Sequence, residues 1–173
     1  ADHLDFFKDL DDIRLSFHLF AKRLPKDGTL ILNAEIPNRS EITEGLTCRV
    51  VTFGVGKGDY QATNVTYDSI GCGSFDLMKD DNLIGHFSLA VPGEHNVANA
   101  VSALAAGDLL GIAADVMAEG LLSFHGTDRR FQKKGEIGGV TIIDDYAHHP
   151  TEIRATLQAA RKIPCKNLWC VFQ

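Results

Sequence analysis

Val140-Thr141-Ile142-Ile143-Asp144-Asp145-Tyr146-Ala147-His148-His149-Pro150-Thr151-Glu152 runs from a β-branched apolar tetrapeptide, through a dense set of ionisable side chains, into an amphipathic segment. Val140 to Ile143 suits a buried parallel strand. Glu152 to Lys162 places Ile153, Leu157 and Ala160 at helical spacing on one face. Pro150 fits the first helical turn, where its missing N–H costs nothing. The carboxylates and histidines then sit at the C-terminal end of a strand, where open α/β sheets place their ligands. The alternative is that the aspartates only cap a turn and the histidines only face solvent. Either way an α/β fold is expected, with Leu168 to Phe172 as the next strand of a βαβ unit.

Working back along the chain, Asp9 or Asp11 can cap a helix whose Ile13, Phe17, Phe20 and Leu24 recur at helical spacing before Pro25. Thr29 to Asn33 reads as a strand. Cys48 to Phe53, Ala62 to Tyr67, Ser74 to Met78 and Leu83 to Val91 are short strand-like runs split by Gly, Asp and Asn, which predicts a small antiparallel region. Glu94 to Leu110 is helical and alanine-rich, and Asp115 can cap a helix reaching about Phe124. His125-Gly126-Thr127-Asp128 breaks both neighbouring patterns and is the expected hinge between two units, 1–126 and 127–173.

Composition narrows the function classes. The chain has 173 residues, is 45% hydrophobic and carries a formal charge of −6, which argues for a globular domain and against a nucleic-acid surface. No apolar stretch approaches the roughly 20 residues that cross a bilayer, so no membrane role is expected. Cys48, Cys72, Cys165 and Cys170 lack metal-binding spacing and read as reduced thiols of a cytoplasmic protein. The chain opens without methionine and stops after a strand-like run, and both ends look cut, as in a piece of a larger enzyme.

Two further segments can carry chemistry. In Pro92-Gly93-Glu94-His95-Asn96-Val97-Ala98-Asn99, Asn96 and Asn99 fall on one face at the start of a helix. Their amides offer a donor and an acceptor together, which suits an adenine edge; the alternative is a cap and a surface residue. Arg129-Arg130-Phe131 can clamp phosphate or can be a solvated pair on a strand. Gly54-Val55-Gly56-Lys57-Gly58-Asp59 fails as a phosphate loop, because Val51 and Gly58 stand where Gly and Ser or Thr are needed, and it reads as a hairpin turn.

Pro92 to Ala100, Phe124-His125-Gly126-Thr127-Asp128-Arg129-Arg130-Phe131, and Asp144 to Glu152, in this order and spacing, resemble the Mur ligases, most closely their alanine-adding branch. The resemblance covers essentially the whole chain. It implies the later part of a central P-loop-type ATPase domain over 1–126, then the first βαβ unit of a Rossmann-like C-terminal domain over 127–173. The N-terminal domain, the phosphate loop and the remaining C-terminal parts of the same enzyme would lie elsewhere. It implies an ATP-dependent ligase of peptidoglycan precursor synthesis that joins L-alanine to the carboxylate of UDP-N-acetylmuramate through an acyl phosphate. The alternatives are a murein-tripeptide recycling ligase and a non-catalytic nucleotide-binding remnant. By resemblance, His3 would bind Mg2+, Asn96 and Asn99 would hold adenine beside His95, and Arg130 would meet the nucleotide from across the hinge. Asp145 would bind ribose or orient Arg130, and His148 and His149 would line the amino-acid pocket. Arg129 ranks below Arg130, since only one of two adjacent strand residues can face the site.

Overall fold

The computed structural model describes residues 5–172. The metal ligand expected at His3 therefore lies outside the described residues. A five-stranded sheet in the order β1-β2-β3-β4-β5 is built from β1 (Thr29–Asn33), β2 (Arg49–Val55), β3 (Tyr60–Tyr67), β4 (Cys72–Lys79) and β5 (Asn82–Pro92). Helix α1 (Leu10–Ala21) precedes it and α2 (Arg39–Thr43) connects β1 to β2, while α3 (Glu94–Leu109) and α4 (Ala114–Ser123) follow. A two-stranded antiparallel sheet of β6 (Gln132–Ile137) and β7 (Val140–Asp144), then α5 (Pro150–Lys162), forms the rest.

The central strands are not all antiparallel. β2 pairs parallel with both β1 and β3, and only the β3-β4-β5 part is antiparallel. Gly54 to Asp59 is therefore not a hairpin: the chain folds back tightly enough that Tyr60 restarts beside Phe53. The cause is local. Gly56 and Gly58 take φ of 67° and 99°, and a Cβ on Gly58 would stand 3.1 Å from the backbone of Phe53. Asp59 then locks the return by accepting from Thr52 N at 2.7 Å and Thr52 Oγ1 at 2.8 Å.

Helix α3 covers one face of the sheet because its small residues permit close approach. Val97, Ala100, Val101, Leu104 and Ala105 are buried against Val51, Tyr60, Ala62, Phe75 and Leu77. A Cβ on Gly73 would meet Val97 Cγ2 at 2.6 Å, so glycine there sets the distance between helix and sheet. Met117 of α4 joins the same core. Asp9 caps α1 by accepting from Asp12 N at 2.9 Å. The α1 stripe stays open nonetheless, with Phe17 and Phe20 57% and 73% exposed, because among the described elements α1 rests mainly on α2. Asp115 does not cap α4; Ala113 occupies that position and Asp115 sits in the first turn.

A polar network closes the far end of α3. Asp108 Oδ2 accepts from Tyr60 Oη at 2.5 Å and from Lys79 Nζ at 2.7 Å. The Lys79 ammonium and then the Tyr60 hydroxyl hold the Asp108 carboxyl below the usual carboxylate range. Its folded pKa is thus depressed, so its contribution is complete above the unfolded value and is lost as pH falls through the folded one, below about pH 4. Tyr60→Phe is expected to cost about 1.5–3 kcal/mol at neutral pH, less in strong acid, by urea unfolding at both pH values.

In the second unit, Leu168 to Phe172 form no strand and no ladder with β7. The expected βαβ unit is represented only by β7 and α5. Leu168 to Phe172 instead line a cleft of about 200 Å³ with Ile143, Ile153 and Leu157. Val171 remains 98% exposed and Trp169 86% exposed in this arrangement.

Candidate active site

Gly93 sets the first half of the site. Its φ of 114° carries the chain from β5 straight into α3, and a Cβ there would meet His95 Cε1 at 2.7 Å. The His95 ring thus folds back over the strand-to-helix corner. Burial among its neighbours pushes the His95 imidazole below its ordinary pKa, Arg130 adds to this and Asp145 opposes it. Charges from beyond Gly126 thus act on His95, and α5 touches the same corner directly, with Lys162 Nζ 2.8 Å from Glu94 Oε1.

In the first two turns of α3, Asn96 Nδ2 donates to Pro92 O at 2.8 Å and Asn99 Nδ2 donates to Asn96 Oδ1 at 3.3 Å. Asn96 is spent on tying strand to helix. Asn99 is exposed and keeps its carbonyl oxygen and one N–H for a ligand. The pair thus divides: Asn96 is tied to the backbone, and Asn99 keeps a free donor and acceptor side by side.

The second half is a corner clamped by Asp145. Its Oδ2 accepts from Phe131 N at 2.8 Å and its Oδ1 from Ala147 N at 2.7 Å, while Arg129 O accepts from Tyr146 N at 2.7 Å. These bonds hold Arg129 and Phe131 at φ of 60° and 50°, a left-handed conformation that L residues avoid. Arg129 and Arg130 thus lie in a turn rather than on a strand, since β6 starts at Gln132. They still separate: the Arg129 guanidinium stacks on the Tyr146 ring at 4.4 Å, and Arg130 Nη1 stands 3.6 Å from Glu152 Oε1. The Asp145 carboxylate grips backbone amides rather than the Arg130 guanidinium.

The two histidines also divide. His149 is the N-cap of α5, its Nδ1 accepting from Thr151 N at 3.3 Å. His148 donates from Nδ1 to Tyr146 O at 3.1 Å, which leaves its Nε2 as the basic nitrogen on an exposed ring. Glu152, absent from the residues expected at the site, is the hub of this cluster. Burial alone would raise its pKa, but the backbone N–H groups of His148 and His149, then Arg130, hold the carboxyl below the usual range. Its position three residues after the cap in His149-Pro150-Thr151-Glu152 is a capping-box spacing, the signal that could have found it.

The free amide edge of Asn99 and the cation of Arg130 are groups of the kind that nucleotide recognition would use. Among the described residues, no three His, Cys, Asp or Glu side chains converge on a metal position. The groups this part of the chain offers to a ligand are the Asn99 amide, the Arg130 guanidinium and the His148 imidazole. None of the described helices is long and apolar enough to cross a membrane.

Residues 1–107 match the Mur ligase middle domain, and residues 129–173 match the Mur ligase glutamate ligase domain. The chain is 47% identical over its full length to a UDP-N-acetylmuramate–L-alanine ligase of Lachnoclostridium phytofermentans, of which it covers 39%. It thus spans about two fifths of the length of the curated relatives it matches. Among solved structures, it superposes on the UDP-N-acetylmuramate-alanine ligase MurC of Thermotoga maritima with a TM-score of 0.75 at 32% identity, covering 94% of this chain and 36% of that one. MurF of Acinetobacter baumannii gives a TM-score of 0.81 at 27% identity, covering 94% and 35%. These α/β relatives share both units, and the chain belongs to the Mur ligase family.

Proposed function

We propose that this chain is the nucleotide and amino-acid side of an ATP-dependent, cytoplasmic ligase that joins L-alanine to the carboxylate of UDP-N-acetylmuramate. The observation that carries it is the open amide edge of Asn99 at the start of α3, one turn after a His95 on which the charges of Arg130 and Asp145 act from beyond Gly126. ATP supplies the phosphoryl group that activates the carboxylate. The residues here bind and orient: Asn99 holds adenine, Asn96 fixes Asn99, and Arg130 meets the phosphates or ribose. His148, with Nε2 outward, receives the amine of the amino acid, while His149 sets the start of α5. We place the boundary between the units at Gly126, supported by its φ of 98° and by the gap between the two family matches. Closure of the units over the site would exclude water from the activated carboxylate. His3 as the Mg2+ ligand belongs to the same proposal and rests on the family resemblance alone. The alanine-adding reading is favoured over tripeptide recycling by the 47% identity to relatives of that name.

A calorimetric titration with Mg-ADP tests it. Wild-type chain should bind, and Asn99→Ala should weaken binding by about 1 kcal/mol, roughly fivefold in Kd. Equal affinities would remove Asn99 from the adenine site.

A further inference from the structure

Lys162, the last residue of α5, reaches out of the second unit. Its Nζ lies 2.8 Å from Glu94 Oε1 and 4.8 Å from the centroid of the Tyr67 ring. Glu94 opens α3 and Tyr67 ends β3, so one ammonium bridges two elements on the far side of Gly126. Gly71, in the turn after Tyr67, lies beside the same side chain: a Cβ there would stand 3.8 Å from Lys162 Cδ, an ordinary packing distance. An exposed ion pair alone is weak, but a cation held over an aromatic face adds a second attraction from the same group. Residues 124–127 between the units carry no regular secondary structure, so contacts of this kind decide how the units stand. Glu94 is also the neighbour of His95, which places the contact one residue from the site.

We propose that Lys162 is a positioning residue: it latches the second unit onto the start of α3 and the end of β3, and so fixes where Arg130 and Asp145 stand relative to His95. The inference rests on the division of the chain at Gly126, and not on what the site binds. Ligand-free measurements therefore test it apart from the ADP titration.

Small-angle X-ray scattering of the ligand-free chain should show a larger radius of gyration for Lys162→Met than for wild type. Lys162→Arg, which keeps the charge and can still cover the ring, should restore the wild-type value. Glu94→Gln, which cuts the ion pair from the other side without touching α5, should expand the chain as well, with the helical circular dichroism of both variants unchanged. The His95 ring resonances should move in Lys162→Met and return in Lys162→Arg. Unchanged scattering or unchanged His95 resonances in Lys162→Met, no expansion in Glu94→Gln, or no recovery in Lys162→Arg would overturn the proposal.

Discussion

Phe75→Ala is expected to lower the unfolding free energy of the chain by about 3–5 kcal/mol, read as a shift of the urea midpoint at constant slope. Phe75 is fully buried and stacks on Phe87 with ring centroids 6.2 Å apart, between the antiparallel part of the sheet and α3. Truncation removes the transfer energy of the ring and leaves a cavity that close-packed neighbours cannot fill. Leu77, Leu104 and Val101 are themselves fully or nearly fully buried, so little slack exists for collapse. The functional consequence follows from where α3 begins. Its first two turns carry His95, Asn96 and Asn99, and its main support is this core. ADP affinity should therefore fall in Phe75→Ala although the side chain is distant from the site, while Phe75→Leu should keep most of both. A loss below about 1 kcal/mol would mean that α3 is not held by the packing described.

Legibility in the sequence followed the kind of force involved. Elements fixed by short-range pattern were readable: β1 at Thr29–Asn33 and α3 at Glu94–Leu109 stand within a residue of the expected bounds. Strand direction was not readable, because Gly54 to Asp59 carries the composition of a hairpin. It takes the Asp59 carboxylate on Thr52, a side-chain contact seven residues back, to turn that stretch into a parallel return. Tertiary burial decided Leu168 to Phe172, whose β-rich composition suits a strand that nothing among the described residues pairs with. The site shows the same division. The resemblance named the segments, and the structure divides labour within them: Asn96 ties the strand to the helix and leaves Asn99 open, and His149 caps and leaves His148 open. Glu152 is legible only through its local capping-box spacing, whereas nothing local marks Lys162, whose partner Glu94 is 68 residues away.

Asp145→Ala is expected to cost the second unit about 2–4 kcal/mol, since two backbone amides lose a charged acceptor at once. The clamp joins segments far apart in sequence, 129–131 and 145–147, so its loss frees a loop rather than loosening one turn. The loop has a reason to move. Arg129 and Phe131 sit in the left-handed region, each at a cost of about 1–2 kcal/mol that the Asp145 and Tyr146 contacts offset. Once released, the turn relaxes toward ordinary φ values and Arg130 leaves Glu152 and the neighbourhood of His95. Hydrogen exchange at Phe131 and Ala147 should accelerate by about tenfold or more, about 1.4 kcal/mol of lost protection, and the affinity for Mg-ADP should fall with it. Asp145→Asn separates the two roles open to this residue. The amide keeps one acceptor for one of the two N–H groups, so exchange should be intermediate, and if Asp145 acts by holding Arg130 then affinity must track exchange across wild type, Asn and Ala. Affinity lost in Asp145→Asn with protection at both amides intact would instead place the carboxylate on the ligand itself. Unaltered exchange in Asp145→Ala would sink the clamp altogether.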